Sequence, residues 1–213
     1  DEFASVPPSR PSGDERRVAL LPGSRGSEIR RLLPVLRECA LLLRNEGFVP
    51  IFSIAPGISD DLREWMKQEL RGMEIFEGEG RELLAGCAAA AGASGTVAVE
   101  AMLLDRFMAV LYRTGFLSEL VWRLLSKTDR ISLPNILAGR EIYPELLQRK
   151  ATPLDAFSSL LRYLRNPEYQ DAVHRGLALS RERMGEPGAR EFWAEIVRSG
   201  TQPDAGRQRG VSA

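Results

Sequence analysis

One stretch restricts this chain more than any other: Leu20-Leu21-Pro22-Gly23-Ser24-Arg25-Gly26-Ser27-Glu28-Ile29. The apolar run at residues 18–21 reads as a strand. It breaks into Pro, Gly and Ser, and a helical pattern follows, with Leu32, Leu33, Leu36, Ala40 and Leu43 on one face. Small residues let backbone N–H groups approach a ligand closely. The helix N-terminus behind them carries partial positive charge. Arg25 adds a planar, permanently charged fork suited to phosphate oxygens. Strand, Gly/Ser turn, arginine and helix together make an anion site, with a diphosphate as its natural guest. No Gly-Lys-Ser/Thr follows, so this is not a Walker A loop, and the Gly-x-Gly-x-x-Gly dinucleotide fingerprint is absent. The plainer alternative is a βα turn with Arg25 in solvent.

The alternation continues along the chain. Strands are expected at residues 49–54, 73–76, 87–92 and 107–112, and helices at 58–70, 81–85 and 96–104. This pattern implies an α/β fold: a Rossmann-like parallel sheet flanked by helices on both faces. Pro34 is disruptive in mid-helix, which places the start of the first main helix at Leu33 or Pro34, after a short turn from Ser27. Gly47 ends it. From Pro153 only helices are expected, over residues 154–165, 167–184 and 189–198. Residues 1–17, with Pro7, Pro8 and Pro11, read as a linker. Residues 18–150 form the Rossmann-like domain, 151–199 the C-terminal helices, and 200–213 a disordered tail.

The chain has 213 residues, 44% hydrophobic and 27% charged, an ordinary balance for a globular protein that buries a core. Its formal net charge of zero offers no electrostatic reason to expect a nucleic-acid partner. No run of about 18 apolar residues, the length a spanning helix needs, is present, and no signal peptide is visible. Cys39 and Cys87 lie in apolar surroundings and read as buried small hydrophobes rather than a disulfide. A reducing, cytoplasmic compartment fits. The first residue is Asp1, not Met, as expected of a fragment or a processed piece. The one histidine, His174, sits in a polar helical pattern and is expected in solvent. With no Cys/His cluster, neither a metal site nor a serine triad is read from the sequence.

Residues 93–100, Ala-Ser-Gly-Thr-Val-Ala-Val-Glu, repeat the strand-to-helix design. Ser94 and Thr96 suit a helix cap or a ligand contact. Glu100 lies beyond the reach of a capping box, about one turn inside the helix, where a carboxylate accepts hydrogen bonds from a ribose diol. In residues 131–141, Pro134 forces extended backbone before it. Asn135 suits either a helix cap or an amide turned toward a polar ligand. Glu145 and Gln148 read as surface groups on a helix. Residues 116–125 hold more apolar side chains than one buried stripe needs, flanked by Arg113, Arg123, Lys127 and Arg130. They form either a core helix with cationic ends or an interfacial helix on a membrane.

Together, residues 20–29, Ala93-Ser94-Gly95-Thr96 with Glu100, and Ser132-Leu133-Pro134-Asn135-Ile136-Leu137-Ala138-Gly139-Arg140-Glu141 resemble the lipid-A-disaccharide synthase family. Tyr112-Arg113 and Lys127-Thr128-Asp129 also match, in the family's order and spacing from residue 18 to about 148. The resemblance covers the family's C-terminal half. It implies one half of a GT-B fold, a glycosyltransferase with two facing Rossmann-like domains. Such an enzyme transfers 2,3-diacylglucosamine from UDP to the 6-hydroxyl of 2,3-diacylglucosamine 1-phosphate, forming a β-1,6 disaccharide. The resemblance assigns Gly23, Ser24, Arg25, Gly26 and Ser27 to the diphosphate. It brings Ser94, Gly95 and Thr96 to the phosphates and Glu100 to the ribose, and it makes Arg25 and Asn135 catalytic. The UDP-sugar is a substrate, so no cofactor and no metal are expected.

The implied partners are UDP-2,3-diacylglucosamine, the acceptor 2,3-diacylglucosamine 1-phosphate, and the cytoplasmic surface of a Gram-negative inner membrane. The missing N-terminal domain is the fourth, since it carries the base, and this half alone is expected to be inactive. Phe192, Trp193, Ile196 and Val197 form an apolar face without its usual partner, which leaves a homodimer open. The competing readings are half of a UDP-sugar 2-epimerase-like enzyme and a non-catalytic nucleotide-binding domain. Residues 132–141 favour the synthase.

Overall fold

Continuous apolar runs, rather than alternating ones, build the sheet, as parallel strands covered on both faces require. The computed structural model describes residues 15–113 and 130–184. In it β1 (Arg17–Leu21), β2 (Val49–Ile54), β4 (Ala89–Ala93) and β5 (Phe107–Tyr112) are almost wholly buried. β3 (Glu74–Glu77) and β6 (Glu145–Leu147) are short, partly exposed edges. The helices are α1 (Gly26–Asn45), α2 (Asp60–Glu69), α3 (Gly80–Ala85), α4 (Thr96–Leu103), α5 (Leu133–Ala138), α6 (Pro153–Arg165) and α7 (Pro167–Met184). The expected α/β class and Rossmann-like sheet are what the structure has.

All strands are parallel, in the order β3-β2-β1-β4-β5-β6. The chain steps outward from β1 to β3 and then returns to β4 on the other side of β1. Strand order therefore reverses between β1 and β4, and a crevice opens beyond their carboxyl ends. Leu21 pairs with Gly92 at this point. A Cβ on Gly92 would lie 2.2 Å from the Leu21 carbonyl oxygen, so only glycine lets the two strands close. α1 and α6 pack together on one face, and α6 also covers β4 and β5. α2 joins α1 through a bond from Arg37 Nε to the Glu69 carbonyl, 2.8 Å, and through the Arg30 guanidinium 4.8 Å over the Trp65 ring. α4 packs on β5 and against α3, α5 and α7.

α1 runs unbroken from Gly26 through Pro34, which corrects the expected start at Leu33 or Pro34. Ile29, Leu32, Leu33, Leu36, Ala40 and Leu43 form one buried stripe along it. Each buried leucine or isoleucine is worth about 1.5–3 kcal/mol, so the stripe outweighs the roughly 3 kcal/mol cost of an interior proline. Pro34 and Arg30, whose carbonyl loses its partner in the helix, are both exposed, which leaves that carbonyl open to solvent. Glu145 and Gln148 need correcting too. Glu145 begins β6 and Gln148 opens a 3-10 turn. A three-residue strand has no period of its own; its pairing with β5, Val110 opposite Glu145, decides the conformation.

Cys39 and Cys87 are free and buried, as expected. Burial pushes their thiols up to about 12 and about 11. His174, expected in solvent, is instead half-buried: its Nδ1 lies 2.8 Å from Asp105 Oδ2 and its Nε2 3.1 Å from the Tyr163 hydroxyl. Arg181 donates from Nη1 to Asp105 Oδ1 and to the Met102 carbonyl, each at 2.8 Å. These bonds fasten α7 to the turn between α4 and β5. His174's partners are 69 and 11 positions away, beyond the reach of helical periodicity. The linker up to residue 14, residues 116–125, Lys127-Thr128-Asp129, the helix at 189–198 and the tail at 200–213 lie outside the described residues.

Burial pushes the Asp105 carboxyl up, but hydrogen bonds from His174 and Arg181 and their charges hold it below its ordinary value. Such a group stabilises the fold above its unfolded pKa of about 3.9 and loses that contribution as pH falls through the depressed value. Asp105→Asn keeps the left-handed backbone that Asp105 adopts (φ 57°). Urea titrations should show it destabilised by about 1–3 kcal/mol at neutral pH, with the difference from the parent shrinking as pH falls below the unfolded value of about 3.9.

Candidate functional site

A pocket of about 350 Å³ occupies the crevice beyond β1 and β4. The turn after β1 supplies Gly23, Ser24 and Arg25; the turn after β4 supplies Ser94, Gly95 and Thr96; α4 supplies Glu100. The family resemblance implied one site for these seven, and the fold brings them to one pocket. Gly26 and Ser27 form the first turn of α1 behind the pocket and do not line it. Ser53, Glu28, Glu79 and Gly80 line it without having been foreseen as site residues. Ser53 carried a signal: it is a lone hydroxyl, 6% exposed, near the carboxyl end of the otherwise apolar β2.

Local chemistry shapes both turns. Arg25 occupies the cap position of α1 with extended backbone (φ −95°, ψ 134°), so the helix starts just behind it. α4 is capped by Gly95, at φ 155° and ψ −154°, a region that residues with a Cβ avoid. Neither Ser94 nor Thr96 acts as the side-chain cap considered for it. The Ser94 N–H instead donates to the Leu111 carbonyl at 3.1 Å and holds the turn to β5.

The Arg25 side chain is 80% exposed, and its Nη1 lies 3.1 Å from Glu28 Oε1. Burial raises the Glu100 carboxyl above the usual range; the Glu79 charge adds to this and Arg81 partly opposes it. The pocket thus sets one guanidinium and two helix N-termini against a partly buried carboxylate. That set can hold an anion and stabilise charge that develops on it.

Asn135 is not in the pocket. It is fully buried, and all of its hydrogen-bonding capacity is used. Its Nδ2 donates to the Tyr143 carbonyl and to Glu145 Oε1, each at 2.8 Å, while Oδ1 accepts the Ile142 and Tyr143 N–H groups at 2.8 and 2.9 Å. Ser132 takes the cap position of α5. Asn135 therefore neither caps the helix nor turns its amide to a ligand, a correction to both expected roles. Glu145 also accepts the Ile131 and Ser132 N–H groups and the Ser132 hydroxyl. Asn135 and Glu145 thus knot the entry of α5 to β6.

The family model described as lipid-A-disaccharide synthetase matches residues 11–197. The lipid-A-disaccharide synthases of Syntrophus aciditrophicus and Azotobacter vinelandii are 36% and 41% identical over 84% and 76% of the chain. The chain covers 48% and 46% of these two, about half the length of the curated relatives it matches. Among solved structures, CalG4, the calicheamicin glycosyltransferase, superposes with a TM-score of 0.54 at 14% identity, over 92% of this chain and 46% of its own. Os79 from O. sativa, solved with UDP, gives 0.51 at 14% identity, over 89% and 42%. Both share the fold.

Asn135→Ala strips partners from three backbone groups and from the Glu145 carboxylate. It should lower the unfolding free energy by about 2–4 kcal/mol, read by chemical denaturation. An Asn135 that served only a ligand would leave stability unchanged.

Proposed function

The chain belongs to the lipid-A-disaccharide synthase family, and from that membership we propose that it is the half of the transferase that holds the UDP-linked donor. One observation carries the reading: Arg25, the start of α1, the start of α4 and Glu100 converge on a single pocket where strand order reverses. The diphosphate sits against Arg25, Gly23 and Ser24, with Ser94, Gly95 and Thr96 on its other side, and Glu100 accepts the ribose hydroxyls. The UDP bound by Os79, a protein of the same fold, supports this choice of nucleotide.

The reaction moves 2,3-diacylglucosamine from UDP to the 6-hydroxyl of 2,3-diacylglucosamine 1-phosphate. As the glycosidic bond breaks, negative charge grows on the departing UDP. Arg25 and the fixed N–H dipoles interact more strongly with that charge than with the ground state, which accelerates the step. In this reading the transfer uses no metal or cofactor. The base that takes the acceptor proton comes from the N-terminal half that the longer relatives contain. Asn135 contributes as a positioning residue, through α5 and β6. The acylated substrates favour the cytoplasmic face of the inner membrane as the place where the enzyme acts. Residues 132–141 favour this reading over a 2-epimerase-like enzyme.

Isothermal titration should detect UDP binding to the chain. Arg25→Ala and Glu100→Ala should each weaken it roughly tenfold, through lost charge-assisted hydrogen bonds. A folded chain that does not bind UDP overturns the donor site. Turnover should require the N-terminal half, and robust turnover by this chain alone overturns the placing of the base.

A further inference from the structure

The pocket carries an electrostatic contradiction. Glu28, Glu79 and Glu100 line it, with Arg25 as the cation among its lining residues. Glu79 and Glu100 stand on the side of α3 and α4, but Glu28 lies directly against Arg25. On charge alone, a carboxylate beside the one guanidinium should repel an anionic ligand.

Its placement argues for a different role. Glu28 is the third residue of a 20-residue helix and is only 24% exposed, whereas Arg25 is 80% exposed. Glu28 is wedged under the tip of the β1–α1 turn. A Cβ on Gly23 would come within 2.9 Å of Glu28 Oε2 and 3.3 Å of its Cβ, with the Ala93 Cβ at 3.2 Å on the other side. Gly23, at φ 106°, makes room for it. The other carboxylate oxygen, Oε1, holds Arg25 Nη1 at 3.1 Å. A long, solvent-facing side chain is thus tied to an anchored one. A guanidinium has five N–H donors in a rigid fork, so one bond to Glu28 narrows the range the group samples and leaves the rest for a ligand.

We infer that Glu28 is a positioning residue that holds the Arg25 guanidinium at the mouth of the pocket, ready for an anionic ligand. This rests on the donor-site reading above, with UDP as the ligand. Glu28 touches Arg25 and the turn; the phosphates touch Arg25. The order imposed on Arg25 before binding outweighs the repulsion Glu28 adds, so removing this negative charge weakens the binding of an anion.

Titration with UDP tests the inference. Glu28→Ala should weaken binding roughly fivefold, the loss expected when a charge-assisted contact must be ordered on binding. Glu28→Gln keeps an oxygen acceptor and should recover most of that loss. In an Arg25→Ala background, Glu28→Ala should cause no further loss and, with its repulsion gone, a slight gain, which a general loss of structure would not reproduce. Thermal melts check folding. If Glu28→Ala does not fold, Glu28→Asp keeps the charge at the helix start, withdraws it from Arg25, and should weaken binding similarly. Unchanged or tighter UDP binding by a folded Ala or Asp variant overturns the inference. So does a loss that persists without Arg25. If the unmodified chain binds no UDP, the donor-site reading fails first and this inference falls with it.

Discussion

The pairing of Leu21 with Gly92 is the constraint on which the rest depends. β1 and β4 are far apart in sequence and become neighbours only because Gly92 presents no side chain to the Leu21 carbonyl. The alanines around it keep β4 thin enough for helices to close on both faces. That closure brings two separate strand-to-helix turns, at residues 22–25 and 94–96, to the two sides of one crevice. Each turn alone is an ordinary helix start. The sheet makes them a site.

Polar groups divide into two kinds. Away from the pocket two groups of them satisfy one another: Asn135 with Glu145, and Asp105 with His174 and Arg181. Such networks hold elements rigidly. At the pocket the charges are less evenly matched. Glu100 is displaced from its usual range by burial and by Glu79, and Arg25 faces solvent with a single carboxylate beside it.

Residues whose partners lie within one or two turns were legible in the sequence. The apolar runs of β1, β2 and β5, the stripe of α1 and the two Gly/Ser turns announced themselves, and Arg25 and Glu100 reach the one pocket expected of them. What escaped was set by distant neighbours. β6 exists because β5 offers it a ladder. Asn135 looked like a cap or a ligand contact, yet its amide is consumed by residues 142, 143 and 145. His174 looked solvated because the carboxylate that claims it is Asp105, at the far end of α4. Pro34 escaped for another reason: a local penalty was read correctly and then outweighed by the packing of the whole helix.

The burial of the two cysteines has a consequence for those who would watch this protein work. Cys39 and Cys87 are both shut in the core, and their thiols ionise only near pH 12 and 11. Thiolate is the species that reacts with maleimides and iodoacetamides, so the native chain is close to silent toward them at neutral pH. A single cysteine placed in the exposed turn, at Ser24 for instance, would then be the site that labels. Its fluorophore or spin probe would report on the β1–α1 loop alone, against a background free of competing thiols.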